Sequence, residues 1–301
     1  TLSSSSAASD VYKRQGPDGE MPETGCCTAS DSEDARKVAS KLDIPYYVLD
    51  YTESFSKNVV DNFTEMYAQG LTPNPCVECN RSVKFDHFIE QAKKLNCEKV
   101  ATGHYAKIIK KNNEYELHKA DYLDKDQSYV LHMLKSSDLA HISFPLGEIS
   151  KPDVRQIAAR IGLKTAFKKD SQDICFVGKK NYRSFVEKRI DLTSSGEIFD
   201  INGKKVGDHN GIHEFTVGQR KGLPGGHETP RYVTKIDVQN KNVTIGEKND
   251  LLVSSFVVEE LSCVNNLEYE NLTIQTRYNS EDLACDCLLY TSDAADEEDS
   301  V

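Results

Sequence analysis

The sequence predicts an α/β half with a parallel sheet, giving way near residue 195 to a β-rich half. Three observations carry this. Helical apolar stripes alternate with short strand-like runs up to about residue 101, Pro- and Gly-rich turns separate them, and beyond 195 hairpin signals take over. With 301 residues, 38% of them apolar, the chain can bury a real core, and its length suits two or three domains.

In order along the chain, the opening TLSSSSAASDVYKRQ is Ser/Ala-rich without an apolar period, and the closing LLYTSDAADEEDSV is small and acidic. Both read as tails foreign to the fold, which leads us to expect a natural chain cut at both ends. Ala35, Val38, Ala39 and Leu42 mark one helical face, and the strand-like YYVLDY follows Pro45. Val60, Phe63, Met66 and Tyr67 stripe a second helix that ends at Gly70. The Pro-rich segment after it predicts a loop over 71–79. A helix over 83–95 leads into the strand EKVAT and a turn at Gly103-His104, a place where α/β folds put sites. Two basic helices, 151–162 and 180–190, flank the irregular KKDSQDICF. After 195, EIFDINGKKVG and RYVTKIDVQNKNVTIG read as hairpins, and SSFVVEEL and NLTIQTRY as further strands. No internal repeat is evident.

No apolar run approaches the roughly 18 residues that span a bilayer, and the start lacks the pattern of a secretory signal, so a soluble cytoplasmic protein with no membrane partner is expected. Nine cysteines, an odd number and unevenly spaced, favour thiol or metal chemistry over a disulfide framework. The formal net charge of -11 argues at first against a polyanionic partner. Its distribution reverses that. Residues 281–301 hold eight acids and no base, whereas 151–190 hold eleven bases and four acids, leaving a basic stretch available for nucleic acid or for a solvated helical face.

The strongest local signal is TPNPCVECNRSVKF, where two prolines stiffen a segment presenting Cys76 and Cys79 at CxxC spacing. Such a pair binds metal, supplies an activated thiolate, or is merely buried. A structural zinc site would need further ligands such as Cys97 or Cys175. Cys175 sits in DSQDICFVGKK between Lys168, Lys169, Lys179 and Lys180, a cationic setting that favours thiolate, although Ile174 and Phe176 beside it suit a core cysteine equally well. His104 follows a strand and a glycine that lets backbone approach a ligand. Taken alone, His104, Lys125-Asp126-Gln127 and GQRKGLPGG read as structural or as ordinary turns.

Taken together and in order, GCCTASDSEDARKVA, GLTPNPCVECNRSVKF, ATGHYA, KDQSYVLHML, FPLGEISKPDVRQIA, DSQDICFVG and HEFTVGQRKGL resemble the signature blocks of bacterial-type tRNA 2-thiouridylases over about 25–280. The resemblance implies an ATP-pyrophosphatase α/β domain, a small central domain and a C-terminal β-barrel. Domain limits follow: a foreign tail over 1–15, the catalytic domain over 16–190, the central domain over 191–250, the start of a barrel over 251–287, and an acidic foreign tail over 288–301. It implies ATP with Mg2+, a tRNA substrate adenylated at the 2-oxygen of its wobble uridine, and a persulfide donor, either a sulfur carrier or a cysteine desulfurase. By motif, Cys79 matches the nucleophile and Cys175 the persulfide carrier, the two closing a disulfide as sulfur is released. Gly103 matches an ATP contact, and Asn74, Pro75 and Cys76 the target-base segment. His104, Lys125, Asp126, Gln127, Arg277 and Tyr278 match tRNA contacts.

Two departures bear on activity. The family's SGGxDS phosphate loop is not found in this sequence, nor is the closing part of the barrel, so little thiolation is expected of the chain as it stands. Cys76 stands where many relatives have Asp. Cys76, Cys79 and Cys175 are therefore also a candidate ligand set for a [4Fe–4S] cluster. Rival expectations are a tRNA-binding fragment without catalysis, a synthetase-like amidating enzyme on the same scaffold, and a protein using its cysteines for structural metal.

Overall fold

The computed structural model describes residues 7–9, 29–168, 174–177, 182–190, 195–226, 228–259, 261–262, 271–277 and 280–287. Two compact units form, Thr1–Asn96 with Pro152–Glu260, and Cys97–Lys151 with Leu261–Val301. The first unit joins the hairpins after 195 to the early helices.

The first unit begins with β1 (Ala7–Ser9), inside the segment read as a tail, and α1 (Ala29–Leu42). β1 pairs in parallel with β2 (Tyr46–Val48), the core of the YYVLDY run. Of the apolar face predicted for α1, Ala39 is buried but Leu42 is exposed. Next, α2 (Thr52–Phe55) runs through a π-helical turn (Ser56–Asp61) into α3 (Asn62–Ala68). Val60, Phe63 and Tyr67 are buried as the stripe requires, and Gly70 ends the rod at φ +69°, where only glycine sits without strain.

The expected loop over 71–79 is corrected by the structure. Residues 75–78 are helical (α4, Pro75–Glu78), continuing through a π-helical segment (Cys79–Phe85) into α5 (Asp86–Lys94). Proline was read as a breaker, yet Pro75 occupies the first helical position, where an N–H has no helical partner in any case. The Asn74 side chain caps the start by accepting the Cys76 N–H at 3.2 Å.

In the second unit, β3 (Val100–Ala101) pairs in parallel with β6 (Ile142–Ser143), which follows α6 (Ser136–Leu139). Between them lies a hairpin absent from the sequence reading, β4 (Ala106–Lys111) and β5 (Glu114–Lys119). Asn112 and Asn113 both take positive φ at its turn, so the Asn pair between alternating runs was its signal. A Cβ on Gly147 would collide with the Ala106 carbonyl, a packing reason for that glycine.

The chain returns to the first unit with the basic α7 (Lys151–Arg160) and α8 (Tyr182–Glu187). Both predicted hairpins then form, β7 (Gly196–Asp200) with β8 (Lys205–His209), and β9 (Tyr232–Asp237) with β10 (Asn242–Gly246). Parallel pairing of β7 with β10 joins them into one open sheet ordered β8-β7-β10-β9. Asp200 Oδ1 accepts the N–H groups of Asn202 and Lys204, each at 2.9 Å, and fixes the first turn. Ile198, Ile212, Phe215, Val233, Val243 and Ile245 form this sheet's core. Finally β11 (Leu272–Ile274) and β12 (Leu283–Cys285) pair in the second unit. The strand expected over SSFVVEEL is not present among its described residues, 254–259 and 261; Phe256, Val257 and Val258 are exposed there, and β-propensity makes no strand without a neighbour to pair with.

Candidate active site

Cys76 and Cys79 sit one helical turn apart. The Cys79 N–H donates to the carbonyls of both Pro75 and Cys76, so the two residues are joined through the backbone. Their exposures differ: Cys76 is exposed, whereas Cys79 is half-buried and packs on an apolar cluster of Tyr51, Phe55, Val59, Val60, Phe63, Tyr67, Val83, Phe185 and Val186. Asn74 is exposed at the same helix start and Pro75 is buried beneath it. Asn80, the neighbour of Cys79, is 2% exposed.

Cys175 reaches the same cluster from elsewhere in the chain, on the short turn Ile174–Val177. Phe176 seats that turn, its ring lying edge-on to Phe63 at 5.2 Å and to Phe55 at 5.7 Å. Aromatic packing of this kind fixes a turn that has no regular hydrogen-bond ladder. Cys79 and Cys175 are thus brought to one apolar surface. Both are thiols, so the disulfide expected between them is not a feature of this structure.

The cationic bracket around Cys175 is partly reassigned. Lys168 Nζ bonds Asp31 at 2.6 Å and Asp34 at 2.7 Å, tying the segment to α1, and these carboxylates raise its pKa above the ordinary lysine value. Lys169, Lys179 and Lys180 lie outside the described residues. Among the described residues no cysteine belongs to a set of three ligand atoms within 4.8 Å of one another, so a zinc site at the CxxC finds no geometric support. The set that does meet this limit is Glu187, His213 and Glu214. His213, 3% exposed, has Nε2 3.3 Å from Glu187 Oε1. The sequence signal for it was the HEF of HEFTVGQRKGL, singled out only as part of a block.

In the second unit, Gly103 is exposed at the end of β3. A Cβ there would meet only Leu146 Cδ1, at 3.8 Å. The fold therefore makes no packing demand for glycine, unlike at Gly147, and the open face suits close approach of a ligand. His104 is mostly enclosed, with Nδ1 2.8 Å from Thr102 Oγ1 and its ring edge-on to Phe144. Lys125-Asp126-Gln127 divide by orientation. Asp126, 9% exposed, accepts the Ala120 N–H at 2.7 Å and the Ser128 hydroxyl at 2.6 Å, while Gln127 Oε1 accepts the Tyr105 N–H at 3.1 Å. Asp126 is thus the buried member, and Lys125 and Gln127 are both half-exposed, Gln127 with its side-chain oxygen taken up by the backbone of Tyr105. The Arg277 side chain is exposed, and Tyr278 lies outside the described residues.

Comparison with known proteins now bears on this geometry. Residues 10–179 match the family profile described as the tRNA methyl transferase HUP domain, and 183–247 the tRNA methyl transferase PRC-barrel domain. A protein of Rickettsia prowazekii (strain Madrid E), named tRNA-specific 2-thiouridylase MnmA, is 43% identical over 263 residues, covering 86% of this chain and 74% of its own. Proteins of the same name from Rickettsia peacockii (strain Rustic) and Rickettsia africae (strain ESF-5) are each 44% identical over 238 residues. Those two matches cover 79% of this chain and 65% of each relative. The chain belongs to the tRNA-specific 2-thiouridylase family. In that frame Cys76, Cys79, Gly103, His104 and Cys175 fall in the HUP domain, and β7–β10 are the PRC-barrel domain, present as an open sheet. The two sets of family names differ on the group transferred, methyl or sulfur.

Proposed function

We propose that this chain carries the thiolation site of a tRNA 2-thiouridylase, with ATP and Mg2+ as co-substrates, the wobble uridine as target, and the cytoplasm as its setting. The observation that carries this is the convergence of Cys79 and Cys175 on one apolar cluster. Two thiols on one surface suit sulfur transfer, in which one holds the sulfur and the other releases it.

A urea-like carbonyl resists substitution until its oxygen becomes a phosphate ester; adenylation at the 2-oxygen releases pyrophosphate and makes AMP the leaving group. Cys175 holds the sulfur as a persulfide, delivered by a sulfur carrier or a cysteine desulfurase. The Cys79 thiolate attacks the inner sulfur of that persulfide, forming the Cys79–Cys175 disulfide and releasing the outer sulfur as hydrosulfide, which adds to the ring carbon and expels AMP. Hydrosulfide is easily lost to water, and the apolar wall of Phe63 and Phe176 limits that loss. Gly103 gives ATP its close approach. The base must leave the stack to reach the site, and Asn74, Pro75 and Cys76 meet it there. Lys125, His104, Arg277 and Tyr278 contact the tRNA, while Asp126 and Gln127 act as positioning residues for Lys125.

Cys175→Ser is expected to abolish thiolation while leaving tRNA binding and tRNA-dependent AMP-ester formation, because adenylation precedes the need for persulfide. Thiolation at the parent rate would reassign Cys175 to packing. The test is run on the chain as it stands and with an SGGxDS-bearing segment joined at its start, so that tRNA binding without thiolation in both forms would favour a binding-only role. A second reading takes Cys76, Cys79 and Cys175 as the residues that would hold a [4Fe–4S] cluster, whose remaining iron would supply a place for sulfur. Full activity in metal-free protein eliminates it.

A further inference from the structure

The persulfide route leaves the protein oxidised at the end of every turnover, with Cys79 and Cys175 joined and both set against the apolar cluster. A reductant from solution meets Cys76 first. We propose that Cys76 is the resolving thiol of the cycle. Its thiolate attacks the Cys79 sulfur of the Cys79–Cys175 disulfide, a Cys76–Cys79 disulfide forms, and Cys175 departs as a thiolate ready for the next sulfur. A dithiol reductant then reduces the exposed Cys76–Cys79 bond and is itself oxidised to a disulfide. Both exchanges conserve atoms and electrons, and the dithiol supplies the two electrons that each sulfur transfer removes from the protein.

Geometry supports the step. Residues three apart in a helix have Cα atoms roughly 5 Å apart, inside the range of about 4.4–6.8 Å that a disulfide tolerates. Cys76 and Cys79 are held at that spacing by the bonds from the Cys79 N–H to the Pro75 and Cys76 carbonyls and by the Asn74 cap. The burial contrast gives the exchange its direction: an exposed thiol next to a half-buried one carries oxidation from the cluster to the surface, where a protein or small-molecule dithiol reaches it. This role rests on the persulfide reading, and not on the identity of the tRNA.

The metal-free full chain is oxidised with diamide, then treated with dithiothreitol. Samples are alkylated at intervals and digested with trypsin. Residues 58–81 leave as one peptide holding both Cys76 and Cys79, so the resolving bond reads as a loss of two hydrogens within it, whereas the catalytic disulfide joins it to the peptide 170–179. The expected result is a 58–81 to 170–179 cross-link that passes through the internal Cys76–Cys79 bond on the way to thiols. In Cys76→Ser and Cys76→Ala, chosen because the position is exposed, the Cys175 thiol should return at least about tenfold more slowly. A cross-link that forms and is reduced at the same rate in both variants, with no internal bond trapped, overturns the resolving role and leaves the persulfide reading standing. If no cross-link forms while Cys79 and Cys175 both alkylate readily, the persulfide reading fails and the resolving role fails with it.

Discussion

At the scale of single residues, the CxxC pair and Cys175 stood out by residue type and setting, and Gly103 through its block in the family resemblance. The bonding of Asp126 and Gln127 was not legible, because hydrogen bonds to Ala120, Ser128 and Tyr105 depend on a loop path that no local pattern encodes. Nor was the neutralisation of Lys168 by two acids more than 130 positions away. Tyr67 offers a test of the cluster itself. Burial, reinforced by the neighbouring Tyr182 ring stacked at 4.9 Å, pushes its pKa from the ordinary 10.0 to about 12, against a weaker opposing bond with Thr216. Folded protein holds this proton where unfolded protein has lost it, so stability is unaffected below pH 10 and falls from there to about pH 12. Urea unfolding between pH 9 and 12 should show the fall in the parent and a shallower one in Tyr67→Phe; equal slopes would mean that the hydroxyl is solvated.

At the scale of elements, periodicity found the helices it could see whole. The stripe of Val60, Phe63 and Tyr67 reads cleanly because those residues bury on one cluster, and the hairpins after 195 read cleanly because their turns carry Asn-Gly and polar residues. It failed where one residue has two meanings, as at Pro75, and where a strand-like run has no neighbour, as at 254–259. It also gave no hint of the π-helical segments at Ser56–Asp61 and Cys79–Phe85, where an extra residue per turn shifts the stripe out of phase. The helix bearing the thiols should depend on its cap. Asn74→Ala is expected to cost about 1 kcal/mol in chemical denaturation, and to slow thiolation by more than Asn74→Asp, which keeps an accepting oxygen. Equal rates for the two would separate the cap from catalysis.

At the scale of the whole molecule, a net charge of -11 does not by itself exclude a polyanionic partner, because the bases are concentrated over 151–190. An acidic protein can hold tRNA if its bases are placed where the phosphates run, and salt dependence tests this directly. If the half-exposed Lys125 meets a phosphate, Lys125→Ala should reduce the slope of log Kd against log salt by about 0.7–0.9. An unchanged slope in Lys125→Ala would remove it from the interface. The division into two units was hidden from composition because it does not follow chain order: the first unit closes only when 152–260 joins 1–96. During synthesis at about 5–20 residues per second, the helices bearing Phe63 and Val83 leave the ribosome several seconds before Phe185 and Val186, which complete their cluster. For that interval the half-built apolar face is open to the crowded cell, and its safe passage falls to whatever holds nascent chains.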